Sequence, residues 1–212
     1  MKKMLRWLVP KEKRLLDMIA EQSQIVLDAA QHLKAFLDEY PKFERSERKS
    51  RAQLINPLEQ RCSEIKNSII TKAKNAPDKV EICSMALLHQ EIISLIKSAE
   101  LKLAIFGIER IDGNVGKLVD EIVYSSSHTK KLLSSVRKSK QKGSENGLNN
   151  DRAENIYYEA LSELFHYYKN SIDIMKHKDI YETLNQINEK FFDLNGAFLR
   201  LCAKEWISNS LL

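Results

Sequence analysis

Apolar residues recur at steps of three and four along almost the whole chain, which is the spacing of one face of an α-helix. The first stretch runs from Pro10 to Tyr40. Proline fits an opening turn because its missing N–H is not needed there, and Pro41 marks the end of the stretch. Runs containing Pro, Gly, Ser and Asn separate the later stretches. The pattern predicts six helices, near residues 10–40, 50–75, 78–111, 115–142, 150–175 and 177–208.

The same pattern predicts the fold class. No stretch alternates as a β-strand would, and the chain has only 6 Gly and 4 Pro. We therefore expect an all-α, six-helix antiparallel bundle in a single domain spanning 1–212, with a division near residue 112 into halves of about 10–111 and 112–208. Ten residues on the apolar stripes should lie in the core: Leu16, Ile25, Leu33, Ile65, Ile92, Leu164, Leu184, Ile187, Leu194 and Leu201.

Charge narrows the choice of partners only a little. The formal net charge of +5 is small against 34 basic and 29 acidic residues, so most of the surface is of mixed charge. Two clusters are more basic, Arg45–Arg51 and Lys130–Lys142; an ordinary solvated surface and contact with an acidic membrane face or anionic protein stay open for both. We expect no nucleic-acid partner, and a homo-oligomer stays open.

The chain has no apolar run near the roughly 20 residues that span a bilayer, and its first residues lack the apolar region of a signal peptide. A soluble, cytoplasmic protein is expected, with peripheral contact at the inner membrane face as an alternative.

Catalytic motifs are missing from the sequence. It contains no nucleophile elbow, phosphate loop or dinucleotide fingerprint, so we expect that the protein is not an enzyme. Cys62, Cys83 and Cys202 have no metal-binding spacing and are interpreted as reduced core residues. Glu163 and His166 form one Glu-x-x-His pair, but a di-iron centre needs two, so this pair is interpreted as a solvent-facing coincidence.

Four segments of the chain, taken in order, resemble one known family. Arg6–Lys13 reads RWLVPKEK, Asp78–Ile82 reads DKVEI, Ala153–Leu161 reads AENIYYEAL, and Lys176–Glu182 reads KHKDIYE. Together they resemble the PhoU-like accessory proteins that accompany Pit-type, low-affinity transporters of inorganic phosphate. The resemblance implies two three-helix halves. It also implies an accessory or regulatory role in phosphate transport, through docking at the cytoplasmic side of a phosphate transporter or another membrane-associated protein.

The resemblance further implies metal clusters held by carboxylates four residues apart, a spacing that puts two hard oxygen ligands on one helix face. The implied pairs fall on Glu59 with Ser63, Gln90 with Ser94, Asn150 with Glu154, and Asn185 with Glu189, with Asp193 one turn further. Three of the eight paired positions remain acidic, too few for a multinuclear cluster. We expect no cofactor, no metal at Glu59, and at most one weak metal site at Glu154, Glu189 and Asp193.

Two functions therefore stay open, an accessory regulator of phosphate transport and a metal-free helical interaction module with no remaining role in phosphate uptake. A neighbouring gene for a phosphate permease would favour the first. A metal-dependent enzyme or store is a third class, which metal analysis of the purified protein would test.

Overall fold

A computed structural model describes residues 10–137 and 151–210, and the helices account for nearly all of them. They are α1 (Pro10–Glu39), α2 (Arg48–Ala52), α3 (Asn56–Lys72), α4 (Lys79–Phe106), α5 (Gly113–Arg137), α6 (Asp151–Tyr167) and α7 (Ser171–Ser210), with single 3₁₀ turns at Tyr40–Lys42, Gln53–Ile55 and Ala73–Asn75. The described residues contain no β-strand, which confirms the all-α prediction. None of these helices combines the length and apolar character needed to cross a bilayer.

Polar contacts between helices give their relative directions. Gln22 bonds to Ala86 and His32 to Glu100, so α1 and α4 run in parallel. The pairs Lys102 with Asp179 and Lys190 with Glu91 make α4 and α7 antiparallel. The pairs Asn114 with Glu163 and Arg152 with Glu121 do the same for α5 and α6. A short turn then reverses the chain from α6 into α7, so α5 and α7 are parallel.

The four long helices α1, α4, α5 and α7 surround the centre of the bundle, α3 packs on α1 and α4, and α6 packs on α5 and α7. The predicted halves correspond to α1, α3 and α4 and to α5, α6 and α7. Contacts between the halves, of α4 with α7 and of α1 with α5, are as extensive as the contacts within either half. The buried apolar residues accordingly form one continuous core that includes side chains from α1, α3, α4, α5, α6 and α7. Six helices packed together confirm the bundle, whereas its division into two halves stays a prediction.

Nine of the ten predicted core residues are buried, and the prediction was wrong at one. Leu16 is only partly buried, because its neighbour Leu15 points into the core, in register with the buried Ile19 and Gln22. Leu16 therefore packs at the edge of the apolar stripe of α1, beside Leu15.

The predicted boundary between the last two helices was also wrong. The fifth helix was predicted to run to 175, but α6 ends at Tyr167 and α7 begins at Ser171. Asn170 starts the new helix, because its side chain accepts the backbone N–H of Ile172 at 2.9 Å and its carbonyl accepts that of Ile174 at 3.0 Å. The predicted end of the fourth helix at 142, residue Asn150 and the part of the second basic cluster beyond Arg137 lie outside the described residues.

At the end of the bundle where α1 and α4 finish, a hydrogen-bond network attaches the first basic cluster to the fold. Buried Tyr40 donates its hydroxyl to the carbonyl of Leu103 at 2.7 Å and accepts a bond from Arg48 at 3.0 Å. Arg48 also donates to the carbonyl of Ile108 at 2.8 Å. Gly107, with φ of 62°, ends α4 in the left-handed conformation that favours glycine, and its α-carbon faces the guanidinium of Arg45.

Candidate functional site

The first implied metal position lies between α3 and α4, and the fold does bring its residues together. The Glu59 carboxylate on α3 accepts a hydrogen bond from the Ser94 hydroxyl on α4 at 3.0 Å, and the Gln90 amide donates to the same hydroxyl at 3.3 Å. The Lys97 ammonium is 2.6 Å from the other oxygen of Glu59. The lysine, one turn further along α4, is therefore the cation that this carboxylate binds.

This arrangement does not fit a metal cluster. Multivalent cations need several anionic oxygens, because the cost of removing their water is offset mainly by charge. Glu59 is the one anionic group in the contact network just described, and Lys97 already neutralises it. A metal ion would have to displace an ammonium group that is less than one third exposed, and would find only hydroxyl and amide oxygens beside the single carboxylate.

The second implied position lies on α6 and α7, where Glu154, Glu189 and Asp193 are all exposed. Glu189 accepts a hydrogen bond from the amide nitrogen of Asn185 at 2.8 Å, so the side-chain oxygen of Asn185 is turned away from the carboxylate and is buried. Here too a lysine is close by, because the Lys190 ammonium is 3.8 Å from Asp193 and 3.0 Å from Glu91 on α4.

The described residues contain no group of three or more His, Cys, Asp or Glu side chains arranged to hold a metal ion. Glu154, Glu189 and Asp193 thus do not form such a group, and metal binding there stays a prediction. The Glu163 and His166 pair faces solvent, as interpreted from the sequence. Glu163 accepts a hydrogen bond from Asn114 at 2.6 Å, and the His166 ring packs edge-on against Tyr167.

Sequence reasoning missed a buried charged pair between α1 and α4. Glu100 is fully buried, and one of its carboxylate oxygens lies 2.8 Å from Nδ1 of His32. Burial raises the pKa of Glu100, and the hydrogen bond to Glu100 raises the pKa of His32. A signal was present in the sequence, because Glu100 follows Ile96 by four residues and precedes Leu103 by three, on the apolar stripe of α4.

A second polar side chain that sequence reasoning did not find in the interior is His89. Unlike Glu100, it has no charged partner among the described contacts. Its Nδ1 is 2.7 Å from the carbonyl of Met85, and since a carbonyl can only accept, Nδ1 carries the proton. Burial lowers the pKa of His89 to about 4, so the ring is neutral at physiological pH. Ala86 lies one turn before His89 on α4. Gln22 on α1 donates to the carbonyl of Ala86 at 3.3 Å and to that of Cys62 on α3 at 3.2 Å. The Gln22 bonds tie α1 to α3 and α4, whereas the His89 bond lies within α4.

The cysteines agree with their interpretation as reduced residues, since all three are free. Cys62 is fully buried, and burial raises the pKa of its thiol to about 11. Cys83 and Cys202 are partly buried and pack against the core.

An open cleft of about 520 Å³ lies between α5 and α6. Its lining is mainly polar, with charges of both signs: Lys117, Asp151, Arg152, Asn155, Ile156 and Glu159. Ligand pockets are usually concave and mostly apolar, with a few convergent polar groups. No nucleophile is paired with a base among these lining residues.

Comparisons with known proteins add no family. A scan of the chain against models of protein families gives no match, and a search of curated proteins gives none. The PhoU-like assignment therefore rests on the resemblance of four short segments.

Proposed function

We propose that this protein is a metal-free helical docking protein, an accessory regulator of inorganic phosphate transport that acts from the cytoplasmic side on a phosphate transporter or another membrane-associated protein. The phosphate role is supported by the order of the four segments that resemble the PhoU-like accessory family. The docking role is supported by an all-helical bundle in which several polar side chains of the described residues join one helix to another.

One observation carries the metal-free part of the proposal, the ion pair of 2.6 Å between Lys97 and Glu59. Glu59 is the one implied ligand of the first cluster that is still acidic, and the chain supplies its own cation there. The carboxylate is thus compensated without a metal, and α3 and α4 are held together by a direct ionic contact instead of a bridging ion.

Elemental analysis of the full chain, purified without chelator, tests this part. We expect fewer than two iron or zinc equivalents per chain. Two or more equivalents that are lost when Glu154 and Glu189 are replaced by Ala would overturn the proposal. A matched control combines Ser63→Asp, Gln90→Glu, Ser94→Asp and Lys97→Ala. It rebuilds the acidic set between α3 and α4, so metal uptake by this variant would show that the assay detects such a site.

The phosphate role is tested by the initial rate of inorganic phosphate uptake in source cells with and without the gene. We expect the rate to change on deletion and to recover when the gene is returned. An unchanged rate under both phosphate limitation and phosphate excess would refute the phosphate role and leave the alternative, a helical interaction module unrelated to phosphate uptake.

A further inference from the structure

Three connections meet at one end of the bundle. The segment from Tyr40 to Ile55 follows α1, the loop from Gly107 to Asp112 follows α4, and the turn from Tyr168 to Asn170 joins α6 to α7. Arg48 bonds the first to the second through the carbonyl of Ile108 at 2.8 Å. Asp112 connects the second to α7, because its carboxylate accepts the hydroxyl of Tyr181 at 2.5 Å. We call this region, residues 40–55, 107–112 and 165–176, the end surface.

The turn side of the end surface carries large apolar side chains that face solvent. Tyr167 is 71% exposed, Ile172 62% and Met175 70%, and Phe165 on the last turn of α6 is 60% exposed. Single exposed apolar residues are ordinary on protein surfaces, but four within eleven positions around one turn concentrate apolar surface at this end of the bundle. Ile172 and Met175 lie within the range 150–175 that was predicted for the fifth helix, beyond the observed end of α6 at Tyr167.

The opposite side of the end surface is basic. Residues 42–51 contain five basic and two acidic side chains. Lys42, Arg45, Lys49 and Arg51 are exposed, and none of these four forms a salt bridge with another residue of the described ranges.

The turn side adds two more basic residues, Lys169 in the turn itself and Lys176 one helical turn into α7. Glu109 and Asp173 oppose this charge. Asp112 is occupied internally, because it accepts the backbone N–H groups of Asn114 and Val115 as well as the Tyr181 hydroxyl.

We propose that the end surface binds the face of a bilayer containing anionic lipids. The basic side is complementary to anionic headgroups, and each Lys or Arg near such a surface strengthens binding about fivefold. Tyr167, Ile172 and Met175 flank the turn at Tyr168–Asn170 and are exposed, so they can enter the boundary between headgroups and acyl chains while Lys169 reaches back to the phosphates. This combination of aromatic, aliphatic and basic side chains is typical of peripheral membrane contact.

The inference rests on the proposed function, because a docking protein of a membrane transporter must work at the bilayer surface. It adds a lipid contact that holds the bundle there with one defined end toward the membrane.

Sedimentation of the full chain with protein-free vesicles tests the inference. We expect binding to phosphatidylcholine vesicles that contain roughly 30% phosphatidylglycerol, weak binding to pure phosphatidylcholine, and a loss of binding as salt is raised. The double variant Ile172→Ser with Met175→Ser should weaken binding at least tenfold, and Lys49→Glu with Arg51→Glu should do the same. All four side chains are exposed or lie on the surface of short helices, so far-UV circular dichroism should be unchanged.

The matched control is Phe192→Ser with Leu199→Ser, since both residues are 51% exposed on α7 but lie away from the end surface. This control should bind vesicles as the unmodified chain does. Equal losses in the control and in the end-surface variants, or no binding to anionic vesicles, would overturn the inference. Binding only to native membranes, lost in the end-surface variants, would indicate an acidic protein partner and would also overturn it.

The outcomes separate the two proposals. Phosphate uptake that depends on the gene, without any vesicle binding, keeps the regulatory role and removes the lipid contact. Vesicle binding through the end surface, with phosphate uptake unchanged by deletion, keeps the lipid contact and removes the phosphate role.

Discussion

Replacing Glu100 with glutamine tests the charged pair inside the bundle. The glutamine keeps the shape of the side chain and an oxygen that can accept from Nδ1 of His32, but it removes the negative charge. In the native protein the hydrogen bond to the Glu100 carboxylate, at 2.8 Å, and the negative charge of that carboxylate raise the pKa of His32 above its ordinary 6.5. The variant should lose this shift, because burial alone lowers the pKa of a histidine.

The sign of the pH dependence follows from the direction of the shift. A histidine whose pKa is higher in the folded state contributes stability that is complete below its unfolded pKa of 6.5 and is lost as pH rises through the folded value. Hydrogen bonds to charged groups contribute about 1.5–3 kcal/mol and neutral ones about 1 kcal/mol, so Glu100→Gln should cost roughly 1–2 kcal/mol at pH 6. The cost should fall as pH rises. By pH 9 it should be close to zero or slightly negative, because the native protein then keeps a buried carboxylate beside a neutral imidazole.

Urea unfolding followed by circular dichroism, from pH 6 to pH 9, measures this cost, and an NMR titration gives the pKa of His32 in both proteins. His89, whose pKa burial lowers to about 4, has the same environment in both folded proteins, so its contribution cancels from the difference. Asp120→Asn is the matched control, because Asp120 pairs with Lys34 at 3.0 Å on the surface, where loss of an ion pair costs below about 1 kcal/mol. A pKa of His32 at or below 6.5 in the native protein, or an equal cost of Glu100→Gln at pH 6 and pH 9, would refute the reasoning.

Three further predictions concern the core, one backbone position and one thiol. Leu184→Ala should cost roughly 2–5 kcal/mol of unfolding free energy, because Leu184 is fully buried. Leu199→Ala, on the exposed face of α7, should change the unfolding free energy by no more than about 0.5 kcal/mol, and equal losses in the two variants would contradict the assignment of faces. Gly107→Ala should cost about 1–2 kcal/mol in the same unfolding assay, because a side chain is unfavourable at φ of 62°, and an unchanged midpoint would contradict this. Cys62 should react with a thiol reagent at pH 8 only on unfolding, since burial raises its pKa to about 11, whereas the partly buried Cys83 should react sooner. Peptide mapping after a short exposure to the reagent measures the labelling of each cysteine, and equal labelling would refute the difference.

Helix class and most of the core could be predicted because they depend on local spacing. A period near 3.6 is visible within a dozen residues, and nine of ten predicted core positions are buried. The boundary near Asn170 could not be found in this way. The capping side chain stands in a run without Gly or Pro, and Ile172 and Met175 continue the spacing although both are exposed.

The contacts of the candidate site depend on residues from different helices. Glu59 and Lys97 are 38 positions apart, and His32 and Glu100 are 68 apart, so no local pattern pairs them. The resemblance to the PhoU-like family implied that Glu59, Gln90 and Ser94 would share one position between α3 and α4, and these three residues are in contact. It did not predict that a lysine one turn beyond Ser94 would supply the counter-ion.

A lysine lies close to an acidic side chain at both implied metal positions, and its positive charge opposes the binding of a metal ion there. Restoring acids at Ser63 or Ser94 alone would add carboxylates beside an ammonium group that already neutralises Glu59 at 2.6 Å. Lys190 has the same effect on α7, where it lies between Glu91 and Asp193. A multivalent ion would meet a positive charge at each position, and like charges at such distances are costly when partly buried. At the first position, several substitutions on two helices, with removal of Lys97 among them, would thus be needed before it could hold a metal cluster.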